Sequence, residues 1–327
     1  MKTLLAAVIL PLLFLAPLDS KALPGDYEVH EWGLISGTAS QAKASSSDLG
    51  HKVRRPVKTK KPVIYFHPGR TWKPGTPITA TIDLLSGSLR EVWPIRPTDP
   101  QPRPGAKFSW QIDNILRPEA CSAIGPSLGS RACRSLGSGI CEAHELRYYI
   151  KRPRNCLLVG DLRSPVLLYN GSMGAAKIPV EWVPKKTGSP VIRNTSDHPI
   201  GPIYLKRGGK ILALGSLAPG ASARRDDGKV VASSAKKFAK VLRAELKRQG
   251  LSSAEAADFL RAWGETIIQE PWAHLKGRRA RSASGTSWSI LGFYNPAAVE
   301  RMMPLRLSPT PRKTVRVMAF ALRSGRK

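Results

Sequence analysis

The sequence predicts a mainly β (α+β) protein, with β-sandwich-like antiparallel sheets and one helical hairpin near the C-terminus. Three observations support this fold class. Short runs of alternating or apolar residues recur between turn residues. Glycine and proline number 28 each in 327 residues, more than a helical bundle tolerates. Only residues 235–269 show helical periodicity. The content of 42% hydrophobic and 23% charged residues also argues against a disordered chain or a protein with many membrane spans.

The first half of the chain contains five predicted strands. Turn residues separate them, and Ile78–Leu84 alternates cleanly between apolar and polar residues, as a strand with one buried face does. The runs are Tyr27–Ile35, Pro62–Phe66, Ile78–Leu84, Leu89–Trp93 and Phe108–Asp113. Residues 36–61 lack periodicity and carry many basic side chains, so they are predicted to form a mobile basic loop.

Further strands are expected after the cysteine-containing stretch. Residues 191–223 predict two or three strands joined by tight turns, and a final strand is expected to close the sheet. The other runs are Cys156–Gly160, Pro165–Tyr169, Ile178–Val183, Trp288–Tyr294 and Lys313–Leu322. We expect these strands and the earlier ones to belong to a single β-rich domain over residues 23–327.

The helical hairpin is predicted over residues 235–269. An apolar stripe starts at Phe238, and Gly250 is placed to end the first helix. Ser252 and Glu255 have the spacing of a capping box at the start of the second helix.

The N-terminus has the pattern of an export signal. Lys2 precedes an apolar run that ends near Leu18, and small residues precede a cleavage site after Ala22. The apolar run is interrupted by two prolines and is short for a membrane anchor, which is the alternative. Residues 1–22 are therefore predicted to be a signal peptide. The mature protein is expected in the periplasm or outside the cell, with no later membrane span.

Export favours disulfide bonds, and all four cysteines lie in the segment 121–156. An even number predicts two bridges, with three possible pairings. Pairing of neighbours, Cys121 with Cys133 and Cys141 with Cys156, is the preferred arrangement. A zinc site with four thiolates is the alternative, but the segment has no C-x-x-C knuckle.

The segment Tyr27–Gly33 reads YEVHEWG. It resembles the start of a family of uncharacterised exported bacterial proteins that carry an N-terminal His-Glu-Trp-Gly-Thr-Phe-Thr motif. Short stretches at Lys61–Phe66, Cys141–Leu146, Leu168–Gly171 and Met303–Pro311 occur in the order typical of that family. The resemblance implies export and a shared fold, and it implies no mechanism.

The formal charge of +29 points to acidic partners. Anionic lipids or polysaccharides of the cell envelope suit an exported protein, whereas nucleic acid is disfavoured by the export signal and the lack of a recognition motif. The outer face of the first hairpin helix is the candidate anion-binding surface, although a merely solvated face is the commoner meaning of such a pattern. Its residues are Lys236, Lys237, Lys240, Arg243, Lys247 and Arg248.

The sharpest chemical pattern is formed by His30, Glu31 and His67, the candidate catalytic residues. Adjacent residues of a strand point to opposite faces, so His30 and Glu31 cannot share a site without a bulge or a strand end. If the strands containing His30 and His67 pair, the two imidazoles would converge and, with a carboxylate, bind a divalent metal such as zinc. The alternative is that His30 or Glu31 bonds the backbone while Trp32 fills the core.

Two functions therefore remain open from the sequence. The preferred one is an envelope protein with a binding or structural role and affinity for anionic components, which requires a contiguous basic face. The other is an exported metal-dependent hydrolase that uses His30, Glu31 and His67, which requires ligands that converge in a concave site. No P-loop, nucleophile elbow or H-E-x-x-H motif decides between them.

Overall fold

A computed structural model describes most of the chain. The residues it describes are 25–38, 57–85, 87–95, 107–122, 154–173, 178–183, 191–207, 209–269 and 288–323. The predicted signal peptide, Cys133 and Cys141 lie outside this part of the chain.

Strands account for most of the described elements, which confirms the mainly β fold class. The first nine are β1 (Gly25–Thr38), β2 (Val57–Pro68), β3 (Ile78–Asp83), β4 (Gly87–Trp93), β5 (Lys107–Ile112), β6 (Asn114–Leu116), β7 (Cys156–Val159), β8 (Leu162–Ser164) and β9 (Leu167–Met173). The other nine are β10 (Val180–Val183), β11 (Val191–Asn194), β12 (Ile200–Arg207), β13 (Lys210–Leu217), β14 (Ser222–Arg224), β15 (Lys229–Ala232), β16 (Trp288–Phe293), β17 (Leu305–Ser308) and β18 (Pro311–Arg323).

Helices are few. They are α1 (Glu119–Ser122), α2 (Ala235–Arg248), α3 (Ser253–Trp263) and α4 (Pro296–Met302), with a 3-10 turn at Arg225–Asp227 and a π-helical turn at Gly264–Gln269 that continues α3. Among the described residues, no helix is both long enough and apolar enough to span a membrane.

One large sheet organises the fold. Its nine strands lie in the order β15-β13-β12-β16-β18-β1-β2-β9-β4, and three further sheets have three strands each. Most strand pairs are antiparallel, as predicted, but the central pair β1 and β18 is parallel. This parallel pair makes the large sheet mixed. Between the end of β1 and the start of β18 lie 272 residues, so no tight hairpin turn constrains the relative direction of the two strands.

Each face of the large sheet packs against a separate cluster of buried apolar residues. Tyr27, Val29 and Ile35 of β1 face the small sheets, where they join one cluster of buried apolar residues. Trp32 and Leu34 point the other way and join a second cluster with α2 and α3. The alternation of β1 therefore serves two interfaces, and the molecule has three layers: helices, the large sheet and the small sheets.

The helical hairpin forms as the sequence predicts. Ser234 caps α2 by accepting a hydrogen bond from the Lys237 amide, and Gly250 follows the helix with a φ of 104°. This left-handed conformation is accessible to glycine at little cost, which explains why α2 ends there. Ser252 and Glu255 form the predicted capping box of α3.

The predicted loop over residues 36–61 is too long at both ends. β1 continues to Thr38, and β2 begins at Val57, with Ser36 opposite Lys58. The ladder to β1 and β9 satisfies the backbone of β2 on both sides, so the strand extends through a basic stretch that has no apolar pattern. Residues 39–56 lie outside the described part.

The disulfide joins Cys121 to Cys156, with their Cα atoms 5.3 Å apart. The preferred pairing of neighbouring cysteines is therefore wrong. Pairing between β6 and β7, with Leu116 opposite Cys156, brings α1 and the start of β7 together across a sequence separation of 35 residues. Sheet pairing rather than proximity in sequence decides which cysteines meet.

Candidate metal centre

Two adjacent strands of the large sheet bring two histidines together. β1 and β2 pair in an antiparallel register that places Glu28 opposite His67 and His30 opposite Tyr65. His30 and His67 are diagonal neighbours on the face toward the helices, and their ring centroids are 4.6 Å apart. The predicted convergence of the two imidazoles is present.

The carboxylate comes from α3. Glu255 is the third residue of this helix and is fully buried. Four residues further on, Phe259 packs edge-on against Trp32, with ring centroids 5.5 Å apart. Trp32 lies two residues after His30 on the same face of β1, and residues i and i+4 share one side of a helix. The aromatic contact therefore holds Glu255 over His30.

Glu255 contacts both imidazoles directly. Its two carboxylate oxygens lie 3.1 and 3.0 Å from His30 Nδ1, and its Oε1 lies 2.8 Å from His67 Nε2. One ligand atom from each of the three residues falls within 4.8 Å of the others. Zinc bonds of 2.0–2.1 Å in a tetrahedron place ligand atoms roughly 3.3 Å apart. The distances from the Glu255 carboxylate to the two histidine nitrogens are already close to this value.

Glu255 is held as a carboxylate. Burial alone raises its pKa, but hydrogen bonds with His30 and His67, and one donated by the Ser252 amide at 2.7 Å, outweigh burial. The pKa of Glu255 consequently lies well below its usual range. The N-terminal turn of a helix also favours negative charge. Metal coordination needs this deprotonated form.

The second nitrogen of His30 points away from Glu255. Among the described residues His30 Nε2 has no hydrogen-bond partner, and its nearest charged group is Glu28 Oε2 at 3.6 Å. Arg312 holds Glu28 through a hydrogen bond of 2.7 Å. If Nδ1 binds a metal, the proton of the neutral ring sits on Nε2 and faces Glu28, as in many carboxylate–histidine–metal arrangements.

Further buried polar groups lie beside His30, His67 and Glu255. Asp258 lies one turn after Glu255 on α3 and is buried. Its Oδ2 accepts hydrogen bonds of 3.1 Å from the Tyr65 hydroxyl and from Arg154. The Tyr65 ring lies nearly parallel to that of His67, with centroids 6.3 Å apart. The site is thus continuous with a buried network and opens to solvent at His67, whose side chain is 28% exposed.

Glu31 does not belong to this centre. It is the parallel partner of Arg316 on β18 and is buried on the opposite face of the sheet. Its carboxylate accepts hydrogen bonds of 2.5 Å from the Tyr169 hydroxyl and from Arg316 Nε. Burial, followed by the negative charge of Glu31, raises the pKa of Tyr169 well above its usual range. Of the three predicted residues, the structure joins His30 with His67 and separates Glu31, because neighbours on a strand face opposite ways.

The sequence did not indicate that Glu255 joins the histidines. It marked Glu255 as half of a capping box, and the structure shows this role too. The only available signal was that a capping glutamate precedes an apolar stripe that must dock on a sheet carrying His30 and His67. Without the docking geometry, no spacing rule connects positions 188 residues apart.

The predicted anion-binding residues are all solvent exposed along α2. Arg248 is paired with Glu245, to which it donates hydrogen bonds of 2.9 and 2.6 Å. Within the described part of the chain, the other five form no ion pair: Lys236, Lys237, Lys240, Arg243 and Lys247. The helix therefore presents a basic face of exposed side chains.

Comparisons with known proteins identify no family. No family model matches the sequence, and no curated protein matches it. Among solved structures, the chain is similar to the zebrafish (Danio rerio) Fcho1 mu homology domain with a bound Eps15 peptide. The two share 8% identity over 91% of this chain and 94% of that one, with a TM-score of 0.30. This degree of similarity carries no argument about function.

Proposed function

We propose that this protein is an exported metal-dependent hydrolase whose metal is bound by His30, His67 and Glu255. The observation that carries the proposal is the convergence of these residues from three elements, β1, β2 and α3, within coordination range of one another. Zinc is the metal that this ligand set suits best, since two histidines and a glutamate form known catalytic zinc sites.

The chemistry of the ligands supports a catalytic rather than a structural site. Three protein ligands leave a fourth tetrahedral position for water, whereas structural zinc sites are closed by four. A zinc ion held by His30, His67 and Glu255 would activate a water molecule for hydrolysis at neutral pH. The partial exposure of His67 leaves this side of the site open to a substrate.

Metal titration tests the ligand assignment. Purified apoprotein is titrated with Zn²⁺ by calorimetry, alongside the variants His30→Ala and His67→Ala. His198→Ala serves as the matched control, because His198 lies near Asp197 and Arg301 and outside the cluster. One zinc ion per chain is expected for the wild type and the control, with a large loss of affinity in the two site variants. Equal binding by all four proteins contradicts the assignment.

Hydrolysis is tested separately on the zinc-loaded protein. The probes are p-nitrophenyl acetate and p-nitrophenyl phosphate, which distinguish an esterase from a phosphatase. Turnover that depends on zinc and is lost in His67→Ala supports the proposal. Bound zinc without turnover of either probe, or turnover that survives in His67→Ala, opposes the hydrolase function.

A second function rests on a different observation, the exposed basic face of α2. We propose that it attracts the phosphate groups of anionic envelope lipids or polysaccharides, while nucleic acid is not the partner that we expect. Five cations without described ion-pair partners along one helix create a positive field that falls off within the Debye length. This role requires no catalytic centre and is compatible with one.

Charge-matched variants test this surface. The four lysines of α2 are changed together to Gln (Lys236, Lys237, Lys240 and Lys247), and the control changes four dispersed exposed cations to Gln (Arg90, Arg193, Lys229 and Arg306). Binding to phosphatidylglycerol vesicles and to a phosphorylated polysaccharide is measured from low to high salt. Loss of binding only in the α2 variant supports the surface, and equal loss in both variants reduces the effect to net charge. Zinc affinity is expected to be unchanged in both.

A further inference from the structure

Three consecutive residues beside the metal centre are attached to three different parts of the fold. Arg154 donates a 3.1 Å hydrogen bond to Asp258 on α3. The side-chain amide of Asn155 donates a hydrogen bond to the backbone carbonyl of Phe66 on β2. Cys156 forms the disulfide with Cys121 in α1.

The first two attachments reach the elements that supply metal ligands. Phe66 immediately precedes His67, and Asp258 lies one turn after Glu255. Arg154 and Asn155 therefore link the end of β2 to the first half of α3. These are the two elements whose separation sets the distance of 2.8 Å between His67 Nε2 and Glu255 Oε1.

The third attachment fixes the linking residues themselves. Cys156 is fully buried and begins β7, which pairs with β6 and β8. Cys121 is also fully buried, at the end of the short helix α1. The disulfide joins these two points, so the position of residue 156 depends on a covalent bond as well as on a strand of four residues.

Resting on the proposed metal site, we infer that Arg154 and Asn155 are positioning residues for the metal ligands, and that the Cys121–Cys156 disulfide is the anchor that holds them. Neither residue contacts the metal. Asn155 fixes the backbone next to His67, and Arg154 fixes the helix that carries Glu255. The disulfide thus raises metal affinity in addition to any effect on global stability.

The physical reason is preorganisation. Ligands that are held close to their coordinating positions lose little freedom when a metal binds. Partners that orient metal ligands typically contribute 10- to 100-fold in metal affinity. Arg154 also balances the charge of the buried Asp258 carboxylate, with which it forms an ion pair.

The test compares metal binding in folded variants of the full mature chain. The variants are Arg154→Ala, Asn155→Ala and the double variant Cys121→Ser/Cys156→Ser. Matched controls are Arg301→Ala, which removes an exposed arginine from its ion pair with Asp197, and Asn170→Ala, which removes an asparagine from its contact with Glu91. Zn²⁺ affinity is measured by calorimetry, and the Co²⁺-substituted proteins are compared by visible absorption, which reports ligand geometry.

The inference predicts a 10- to 100-fold weaker zinc affinity in each of the three variants, with an altered Co²⁺ spectrum, and wild-type behaviour in both controls. Combining Arg154→Ala with the double serine variant should add little, because the disulfide is inferred to act by holding residues 154 and 155 in place. Arg154→Lys should recover part of the affinity by restoring the charge next to Asp258.

The possible failures are distinguishable. If the wild type binds zinc and folded Arg154→Ala and Asn155→Ala bind it equally well, the positioning inference is wrong and the metal site stands. If the controls lose affinity to the same extent, the effect is not specific and the inference is also wrong. If the wild type binds no zinc, both the proposed function and this inference fall. Should the serine variant fail to fold, the Arg154 and Asn155 variants decide alone.

Discussion

Replacing Glu255 by glutamine separates the two roles that the structure gives to this residue. Glu255 is the third residue of α3, and its carboxylate accepts a hydrogen bond of 2.7 Å from the backbone amide of Ser252. The same carboxylate also contacts His30 and His67. Glutamine can serve in a capping box, so the cap survives the substitution. It lacks the negative charge that makes glutamate a zinc ligand. The account therefore predicts a folded protein with an impaired metal site.

The size of the effect follows from the contacts. A hydrogen bond to a charged group contributes about 1.5–3 kcal/mol and a neutral one about 0.5–1.5 kcal/mol, so each of the three contacts loses about 1 kcal/mol. The apoprotein should be destabilised by about 2–3 kcal/mol, measured by urea denaturation. Loss of one of three protein ligands should weaken zinc binding at least about 100-fold, which is about 2.7 kcal/mol.

Two further variants serve as controls. Ser252→Ala removes the other half of the capping box and should cost about 1 kcal/mol in stability with unchanged zinc affinity. Glu245→Gln removes a buried glutamate of α2 that pairs with Arg248 outside the site, and should also leave zinc affinity unchanged. If Glu255→Gln binds zinc like these controls, Glu255 is a helix cap alone and the proposed ligand set is refuted.

Three other predictions use different parts of the structure. Glu31→Ala should destabilise the fold by about 3–5 kcal/mol, because Arg316 and the Tyr169 hydroxyl each lose a buried hydrogen bond to a carboxylate, although Arg316 keeps its ion pair with Glu300. Zinc affinity should not change, and a calorimetric titration showing weaker zinc binding would oppose the separation of the two faces. The free energy of unfolding of the apoprotein should fall as the pH decreases below about 4.5, because the pKa of Glu255 is lower in the folded state than in the unfolded chain, so protonation favours unfolding. In denaturation curves measured from about pH 6 to 3, Glu255→Gln should lack this part of the pH dependence. Equal slopes for the two proteins would contradict the direction of the pKa shift. Gly250→Ala should cost about 1 kcal/mol in thermal denaturation, since alanine resists the φ of 104° at the end of α2, and an unchanged melting temperature would contradict that explanation.

Much of the fold could be predicted because local patterns determine it. The alternation of Ile78–Asp83, the turn residues between strands and the Ser252–Glu255 capping box each specify a local conformation without reference to distant residues. The helical hairpin was predictable for the same reason, since Gly250 and the apolar stripe starting at Phe238 lie within one continuous segment.

The remaining features depend on contacts between distant segments. The parallel pairing of β1 with β18 joins the two ends of the described chain, and no local pattern specifies its direction. The disulfide partner of Cys121 depends on the pairing of β6 with β7. Neither can be deduced from spacing, because tertiary arrangement decides both.

The candidate site was predictable in part for the same physical reasons. The period of two along a strand argued against a shared site for His30 and Glu31, but Glu31 stayed among the predicted catalytic residues, and the structure places it on the opposite face. Antiparallel pairing of β1 and β2 was enough to bring His67 close to His30. Glu255 could not be found in this way, because its position over the histidines depends on how Phe259 docks against Trp32. The packing of a helix on a sheet decides which of its side chains reach a site on that sheet, and this packing cannot be deduced from the spacing of residues in the sequence.

The most direct test of the central claim is the metal content of the protein, purified without a metal-affinity tag and compared with that of His67→Ala. Mass spectrometry of the elements gives the stoichiometry, and the melting temperature is recorded before and after a chelator. The account predicts close to one zinc ion per wild-type chain, a lower melting temperature after chelation, and neither property in His67→Ala. A wild type without metal, whose melting temperature is unaffected by added zinc or chelator, would contradict the claim that His30, His67 and Glu255 form a metal centre.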